Sequence, residues 1–434
     1  MQTATWQVVA AVVIFLATYA FVITEKVNRA VAALAGALLM VIFGIVDLHK
    51  AYQHHIEWQT IFLLVGMMIL VGITNKTGVF QYVAIHAAKK AKGDPLRILL
   101  LLASLTAIGS AFLDNVTTVL LIIPVTFSIT RILQVNPLPY LIAEVIASNV
   151  GGTATLIGDP PNIMIGTATH LTFNDFLINL APVTLVIFAV FLLIFAVVYK
   201  KQLIVPPSRR AELMKLDPES FIKDRALMRK SVLVLALTIV GFLLHSLIHV
   251  EAAVIAFAGA TLLILIGVRD REEEEKVFDS VEWVTIFFFA GLFVLVGGLI
   301  DVGAIGYLAA KMLEITQGDM LFTSMLVLWV SGIASATIDN IPFVATMIPL
   351  IHDLGTQMNI EFANELDPVW WSLALGACLG GNGTLIGASA NVIAAGMSAK
   401  EGYPLKYVDF LKIGAPLTLL SLVISSLYVY FMYF

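Results

Sequence analysis

Four acidic residues interrupt long apolar segments of this chain, and their chemistry is the first indication of function. They are Asp114, Glu144, Asp159 and Asp339. An ionised side chain at the centre of a lipid bilayer costs at least about 2.5–3.5 kcal/mol, so membrane segments keep such residues where they bind something or carry protons. We find no lysine or arginine deep in the same segments. The sequence therefore predicts that mobile cations or protons neutralise these carboxylates.

Two of the carboxylates occupy matched positions 225 residues apart. LDNVTTVLLIIPV contains Asp114 and Asn115, and IDNIPFVATMIPL contains Asp339 and Asn340. Each pair lies at the predicted tip of a helical hairpin, where unpaired backbone groups together with Asp, Asn and, in the first half, Thr118 can coordinate an ion. The alternative is that each Asp caps the second hairpin helix through its side chain.

Two Gly-rich elements form a second matched pair, with an offset of 229. GGTATLIGDPPN (151–162) and GGNGTLIGASAN (380–391) agree at seven of twelve positions. Glycine permits unwound backbone inside a helix, and threonine and asparagine add oxygen ligands. Close helix packing is one alternative; a phosphate-binding loop is another, but it needs a strand-to-helix setting. The candidate ligands are Gly152, Thr153, Thr155, Gly158, Asn162, Gly381, Asn382, Thr384, Gly387 and Asn391.

Asp159 breaks the symmetry of these elements, because its counterpart is Ala388. It is a candidate proton carrier, cation ligand or electrostatic lock, and we assign proton coupling to Asp114, Asp159, Asp339 and Glu144. A hydrogen-bonded structural role is the alternative for Glu144. Cys378 is interpreted as a small buried hydrophobe. We predict no catalytic residues and no resident metal.

These residues need a membrane scaffold to position them, and the composition supplies one. Hydrophobic residues make up 59% and charged residues 13% of 434 positions, whereas soluble domains carry about 25% charged residues. EWQTIFLLVGMMILVG (57–72) returns as EWVTIFFFAGLFVLVG (282–297) with nine of sixteen positions identical. The chain is predicted to be an all-α polytopic membrane protein of two inverted-topology repeats. Each repeat has five transmembrane spans, a re-entrant hairpin and one broken helix.

The predicted boundaries follow from this arrangement. Residues 1–200 form the first repeat, with a hairpin at 96–133 and a broken helix at 140–167. Residues 201–230 form a linker. Residues 231–434 form the second repeat, with a hairpin at 322–351 and a broken helix at 369–397.

Basic residues predict the orientation. If the amino terminus is outside, the cytoplasmic segments hold 23 of the 25 lysine and arginine residues, as the positive-inside rule requires. The central loop 200–230, with nine of them, is then cytoplasmic in a multi-pass protein of the cell membrane.

With these motifs in order, the chain resembles the ion transporter superfamily across nearly its whole length. The Asp-Asn tips and GDPPN look most like the ArsB/NhaD and P-protein permeases, which carry a citrate transporter-like domain. The resemblance implies a homodimer and elevator-type movement of a hairpin-bearing transport domain. Where dicarboxylate carriers have Ser-Asn-Thr at the tips, this chain has Asp. The two added charges would repel an organic dianion by several kcal/mol at low dielectric.

We therefore expect a secondary active antiporter that moves arsenite or sodium against protons. It needs no cofactor beyond the coupling sodium ion or proton, and its partners are a small inorganic ion or metalloid and membrane lipid. The alternative is a sodium-coupled carrier of citrate-like organic anions. An intramembrane aspartyl protease would not explain the duplication, and a passive channel is a further rival. We expect no enzyme activity and no nucleic-acid partner.

Overall fold

The computed structural model describes residues 5–24, 26–268, 270–360 and 363–434, and the regular structure in these ranges is helical. The first half of the described chain contains ten α-helices: α1 (Thr5–Thr24), α2 (Arg29–Ile42), α3 (Leu48–Lys50), α4 (Trp58–Lys76), α5 (Val79–Lys90), α6 (Pro95–Phe112), α7 (Asn115–Leu133), α8 (Leu138–Thr153), α9 (Pro160–Ala168) and α10 (Phe173–Tyr199). A π-helical turn, Ala51–His55, continues α3.

A short linker helix, α11 (Pro207–Met214), follows the first half. The second half then repeats the order of the first, and its described helices are α12 (Arg225–Ile248), α13 (Ala252–Gly267), α14 (Arg271–Val277), α15 (Trp283–Asp301), α16 (Ala304–Thr316), α17 (Met320–Thr337), α18 (Asn340–Gln357), α19 (Asp367–Gly380), α20 (Ser389–Lys400) and α21 (Tyr407–Tyr433). Short 3-10 turns lie at Pro218–Phe221, Phe278–Ser280 and Ala363–Leu366.

The apolar length of the helices makes this a multi-pass membrane protein. Within the described ranges, nine helices are long and apolar enough to span a bilayer, namely α1, α4, α6, α7, α10, α12, α15, α17 and α21. The all-helical polytopic class predicted from composition is confirmed. The inverted orientation of the two repeats stays a prediction.

Each hairpin starts and turns at an acidic cap. Asp94 accepts a hydrogen bond from the Arg97 amide at 3.0 Å and starts α6, and Asp319 accepts one from the Phe322 amide at 2.6 Å and starts α17. A two-residue connection then leads into α7 or α18. The second hairpin extends to Gln357, six residues beyond the predicted end at 351.

The broken helices lie beside these hairpins. In the first half α8 packs on α6, and in the second half α19 packs on α17. α9 begins with Pro160 and Pro161, as expected for proline in the first turn of a helix, where its missing N–H needs no partner.

Two helix pairs are exchanged between the halves. α2 packs on α15 and α13 packs on α4, so each half supplies a helix to the other. Small residues permit this contact, because a Cβ on Gly66 would lie 2.8 Å from the backbone of Ala256, and one on Gly291 would lie 2.7 Å from that of Ala33. The two halves therefore form one interlocked unit.

The linker is ordered against the first half. The Lys223 amide donates to the Thr77 carbonyl at 2.9 Å, and the Lys89 ammonium donates to the Leu216 carbonyl at 2.7 Å. These contacts hold residues 215–223 on α5.

Candidate functional site

The hairpin tips place Asp114 and Asp339 as helix caps. Asp114 accepts a hydrogen bond from the Thr117 amide at 2.8 Å, and Asp339 accepts a longer one from the Ile341 amide at 3.4 Å. The capping role is therefore present at both tips. Asp114 has φ 128° and ψ 155°, a region that is strained for any residue but glycine and is found mainly at functional sites.

Beneath the tips lies a small polar chamber with a volume of about 20 Å³, enough for one water-sized ligand. Elements from both halves meet there, including both hairpins, the first broken helix, α2 and α15. The polar residues that line the chamber are Arg29, Asp114, Asn115, Asp159, Glu282, Thr285, Asn340 and Ser389.

Asp339 lies at the edge of this chamber. Its carboxylate accepts a hydrogen bond from the Ser389 hydroxyl at 2.9 Å. Asp339, Ser389 and Arg29 also line a larger cavity of about 280 Å³ that lies between α1, α2 and α20. Ser389 and Arg29 line both cavities, so the two predicted hairpin tips lie in one region of the protein.

Arg29 overturns one expectation from the sequence. We predicted no lysine or arginine at the carboxylates, but the guanidinium of Arg29 lies 3.3 Å from Asp339 Oδ2. It also donates to Ser389 Oγ at 2.5 Å and to Thr285 Oγ1 at 2.9 Å. The sequence places Arg29 at the start of an apolar helix, and folding turns that end of α2 toward the second hairpin. Asp339 therefore has a resident counter-charge.

Asp159 is the most enclosed acid of the chamber. Its side chain is fully buried, and the Asn340 amide approaches one carboxylate oxygen at 3.5 Å. The other oxygen has no hydrogen-bond partner among the residues that the structure describes. A buried carboxylate of this kind needs a proton or a cation.

An amide network joins the two broken helices near the first tip. Asn149 donates to the side-chain oxygens of Asn382 and Asn391, both at 2.9 Å, and accepts from Asn115 at 3.1 Å. Asn115 Oδ1 and the Thr118 hydroxyl are buried, and neither has a partner in the described part of the chain. Asn115 lines the chamber, so its oxygen can reach a ligand there, whereas Thr118 is not among the lining residues.

The second tip has a related but chemically different cluster. Cys378 occupies the position equivalent to Asn149, and its thiol lies 3.4 Å from Asn162 Oδ1. Thr153, the counterpart of Asn382, donates its hydroxyl to the Asn149 carbonyl at 2.7 Å. A thiol and a hydroxyl here replace two neutral amides of the first cluster.

Several predicted ligands instead hold the breaks in shape. Thr155 donates to the Ala111 carbonyl, and its counterpart Thr384 donates to the Ala336 carbonyl at 2.6 Å. Asn162 and Asn391 donate to carbonyls within their own elements, at 2.8 Å for the closest contact of each. These contacts use the hydrogens of the four side chains, whereas a cation would bind their oxygen lone pairs, so the predicted ligand roles stay predictions.

The glycines of the breaks serve close approach. A Cβ on Gly152 would lie 2.5 Å from the Gly158 carbonyl oxygen, and one on Gly387 would lie 2.7 Å from that of Gly381. None of the four has a positive φ. The alternative of close packing, rather than unusual backbone conformation, accounts for them.

Glu144 lies apart from the chamber. It is buried between α8 and α7, where one carboxyl oxygen accepts a hydrogen bond from Thr126 at 2.5 Å. The other carboxyl oxygen has no hydrogen-bond partner among the described residues, so Glu144, like Asp159, is a buried acid that needs a proton, and its role in proton coupling stays a prediction.

Five polar residues of the site were not among those predicted. They are Arg29, Asn149, Glu282, Thr285 and Ser389. Glu282 and Thr285 lie inside the duplicated EWxTIF sequence, so the repeat itself was a signal. Asn149 was a lone amide in an apolar helix.

Comparison with known proteins agrees with this architecture. The family model described as "Citrate transporter" matches residues 19–376. The "Uncharacterized transporter Rv2684" of Mycobacterium tuberculosis is 43% identical over 98% of this chain and 99% of its own length. The "P protein" of Mus musculus is 34% identical over 97% of this chain and 60% of its own length. The YdaH transporter of Alcanivorax borkumensis shares the fold, with a TM-score of 0.61, 14% identity and coverage of 90% of this chain and 87% of its own.

Proposed function

Since this membrane transporter belongs to the citrate transporter family, we propose that it is a secondary active antiporter that exchanges sodium or arsenite for protons. The exchange takes place in the polar chamber, and the hairpin-bearing part of the protein moves to expose it alternately on the two sides. The transporter lies in the cytoplasmic membrane as a homodimer, with the loop 200–230 in the cytoplasm.

The observation that carries this proposal is the charge of the chamber. In the described structure, Asp114, Asp159 and Glu282 line it and Asp339 adjoins it, while Arg29 is the one basic side chain among its lining residues. Four carboxylates beside one guanidinium leave an excess of negative charge. Such a site attracts cations or protons and repels anions.

The ligand atoms favour sodium within this proposal. Carboxylate, amide and hydroxyl oxygens are hard donors that suit small hard cations. Asp159 and Asn115, which line the chamber, each have a buried oxygen without a partner among the described residues. Sodium bound by Asp159 excludes a proton from the same carboxylate, so occupancy by one ion displaces the other. Arsenite is the second candidate for the same exchange.

A different observation favours a second candidate, a carrier of citrate-like anions. The cavity of about 280 Å³ is larger than one metal ion needs, and Arg29 lines it. A guanidinium can bind a substrate carboxylate through two hydrogen bonds.

Transport into proteoliposomes separates the candidates. A pH gradient imposed across the vesicle membrane should drive sodium or arsenite through the purified protein. The pH of the vesicle lumen should change in return, because protons move in the opposite direction. Asp159→Asn should abolish that exchange while the protein stays folded. Uptake of citrate or succinate driven by a sodium gradient, with no exchange of sodium or arsenite for protons, would reject the antiporter and support the anion carrier. Full exchange by Asp159→Asn would remove the proposed role of that carboxylate.

A further inference from the structure

Arg29 connects two groups of helices through its hydrogen bonds. It starts α2, which packs on α15, and Thr285 on α15 accepts one of its hydrogen bonds. Its other contacts are Asp339 at the start of α18 and Ser389 at the start of α20. One side chain therefore bridges the α2–α15 pair to the second hairpin and the second broken helix.

The two hydroxyls that hold Arg29 lead to two different carboxylates. Ser389 accepts from Arg29 and donates to Asp339 at 2.9 Å. Thr285 accepts from Arg29 and donates to Glu282 Oε2 at 3.1 Å. The guanidinium thus lies between a carboxylate on the hairpin and a carboxylate on its own helix pair. The Phe288 ring, with its centroid 5.3 Å from the guanidinium carbon, supports the group from one face.

The contact with Asp339 is direct but long, at 3.3 Å, and both side chains retain some exposure, 25% for Arg29 and 16% for Asp339. The contact is one long hydrogen bond and not a bidentate pair, so a cation that binds Asp339 can compete with Arg29 for the carboxylate. If Arg29 leaves Asp339, Glu282 is the nearest carboxylate that its hydrogen bonds already reach through Thr285.

The first hairpin has no equivalent of this arginine bridge. The sequences NRAVAALAGA (28–37) and EAAVIAFAGA (251–260) align, and Ala252 stands where Arg29 would be. Pro160 stands at the position of Ser389. The arginine bridge therefore acts on the second hairpin alone.

From this geometry we propose that Arg29 is a tethered counter-cation that occupies Asp339 when the site is empty. It transfers to Glu282 when a transported cation or proton takes the Asp339 carboxylate. The bridge holds the hairpin against α2 and α15 in the empty state and releases it in the loaded state. This couples movement to occupancy, and it rests on the proposed antiport.

The test is a double-mutant cycle on sodium binding to the purified full-length transporter. Arg29→Gln removes the competitor and should raise sodium affinity about tenfold, equivalent to about 1.4 kcal/mol. Glu282→Gln removes the carboxylate with which Arg29 pairs when it leaves Asp339. Arg29 then stays on Asp339, so sodium affinity should fall. In the Arg29→Gln background, Glu282→Gln should lower sodium affinity by clearly less than it does in the wild type, because no arginine remains to be transferred and only the loss of one chamber charge is left.

Independent electrostatic effects of the two charges would instead be additive, and additivity would overturn the proposal. Tyr19→Phe is the matched control, since the Tyr19 hydroxyl donates to the Pro342 carbonyl of the same hairpin at 2.5 Å without a charge. It should leave sodium affinity unchanged; a rise equal to that of Arg29→Gln would show that mere loosening of the hairpin is responsible.

A second measurement tests coupling and separates the two proposals. Proteoliposomes with Arg29→Gln should release sodium down its gradient without opposing proton movement, whereas wild-type vesicles should not. If wild-type protein exchanges sodium for protons and Arg29→Gln does so with the same stoichiometry, the Arg29 proposal fails and the antiport stands. If wild-type protein neither binds nor exchanges sodium, the sodium antiport fails first.

Discussion

The side-chain amide of Asn149 lies 2.9 Å from the side-chain oxygen of Asn391, so the broken helices of the two halves are joined at their breaks. The same amide reaches Asn382 and accepts from Asn115. In the second half Cys378 holds the matching position. The two clusters therefore occupy matched positions in the two repeats and differ in chemistry.

Asn149→Ala should destabilise the protein by more than about 2 kcal/mol, because it leaves several buried amide groups without partners, at about 1–3 kcal/mol each. The chain has one cysteine, Cys378, which is fully buried. A thiol-reactive dye therefore reports unfolding on heating in detergent. Asn174→Ala, which removes one hydrogen bond at the surface, is the control and should melt close to wild type. Equal melting of both variants would contradict the structural role of the network.

Asp114→Asn and Asp339→Asn should each abolish proton-coupled exchange and leave melting nearly unchanged, since asparagine caps a helix about as well as aspartate. Counterflow of sodium and pH-gradient-driven uptake in proteoliposomes are the measurements. An active Asp114→Asn protein would show that this carboxylate is only a cap.

Gly152→Ala should prevent folding or lower the melting temperature strongly. The new Cβ would lie 2.5 Å from the Gly158 carbonyl oxygen, and backbone on both sides of the break limits relaxation. Gly396→Ala in α20 is the control, because a Cβ there meets nothing within 4 Å. It should be neutral or stabilising by up to about 1 kcal/mol. Thermal unfolding of the two variants side by side checks the contrast.

Thr155→Val and Thr384→Val should destabilise the protein by similar amounts, about 1–2 kcal/mol each. Both hydroxyls donate to the carbonyl near the end of the first hairpin helix, at Ala111 and at Ala336. Valine keeps the shape and removes the donor. Melting curves of the two single variants and the double variant measure this, and a large difference between the singles would argue against equivalent roles in the two halves.

The predicted orientation can be tested with two surface cysteines. In intact cells a membrane-impermeant maleimide should label Lys311→Cys but label Glu212→Cys only after permeabilisation. Both positions are exposed, and the buried native Cys378 should stay unreactive. The reverse labelling pattern would place the loop 200–230 outside the cell.

The sequence was sufficient to predict the helical membrane class and to locate the breaks, because apolar length, Asp-Asn tips and Gly-rich elements are local signals. It was not sufficient for Arg29 or Ser389, whose role depends on which helix ends meet across the halves. It also did not show that Thr155 and Asn162 donate hydrogen bonds to backbone carbonyls beside the breaks. Residue type alone does not show whether a polar group is already satisfied.

The exchanged packing of α2 on α15 and of α13 on α4 bears on the origin of the chain. Neither half can cover its own helices without the other, so a fragment ending in the linker should not be stable by itself. Two copies of such a fragment, inserted in the membrane in opposite directions, would cover each other's helices in the same way. With the predicted inversion of the repeats, the exchanged packing is what fusion of two such copies would produce, and Arg29 and Asp159 depart from the repeat, since alanine stands at both counterpart positions, 252 and 388.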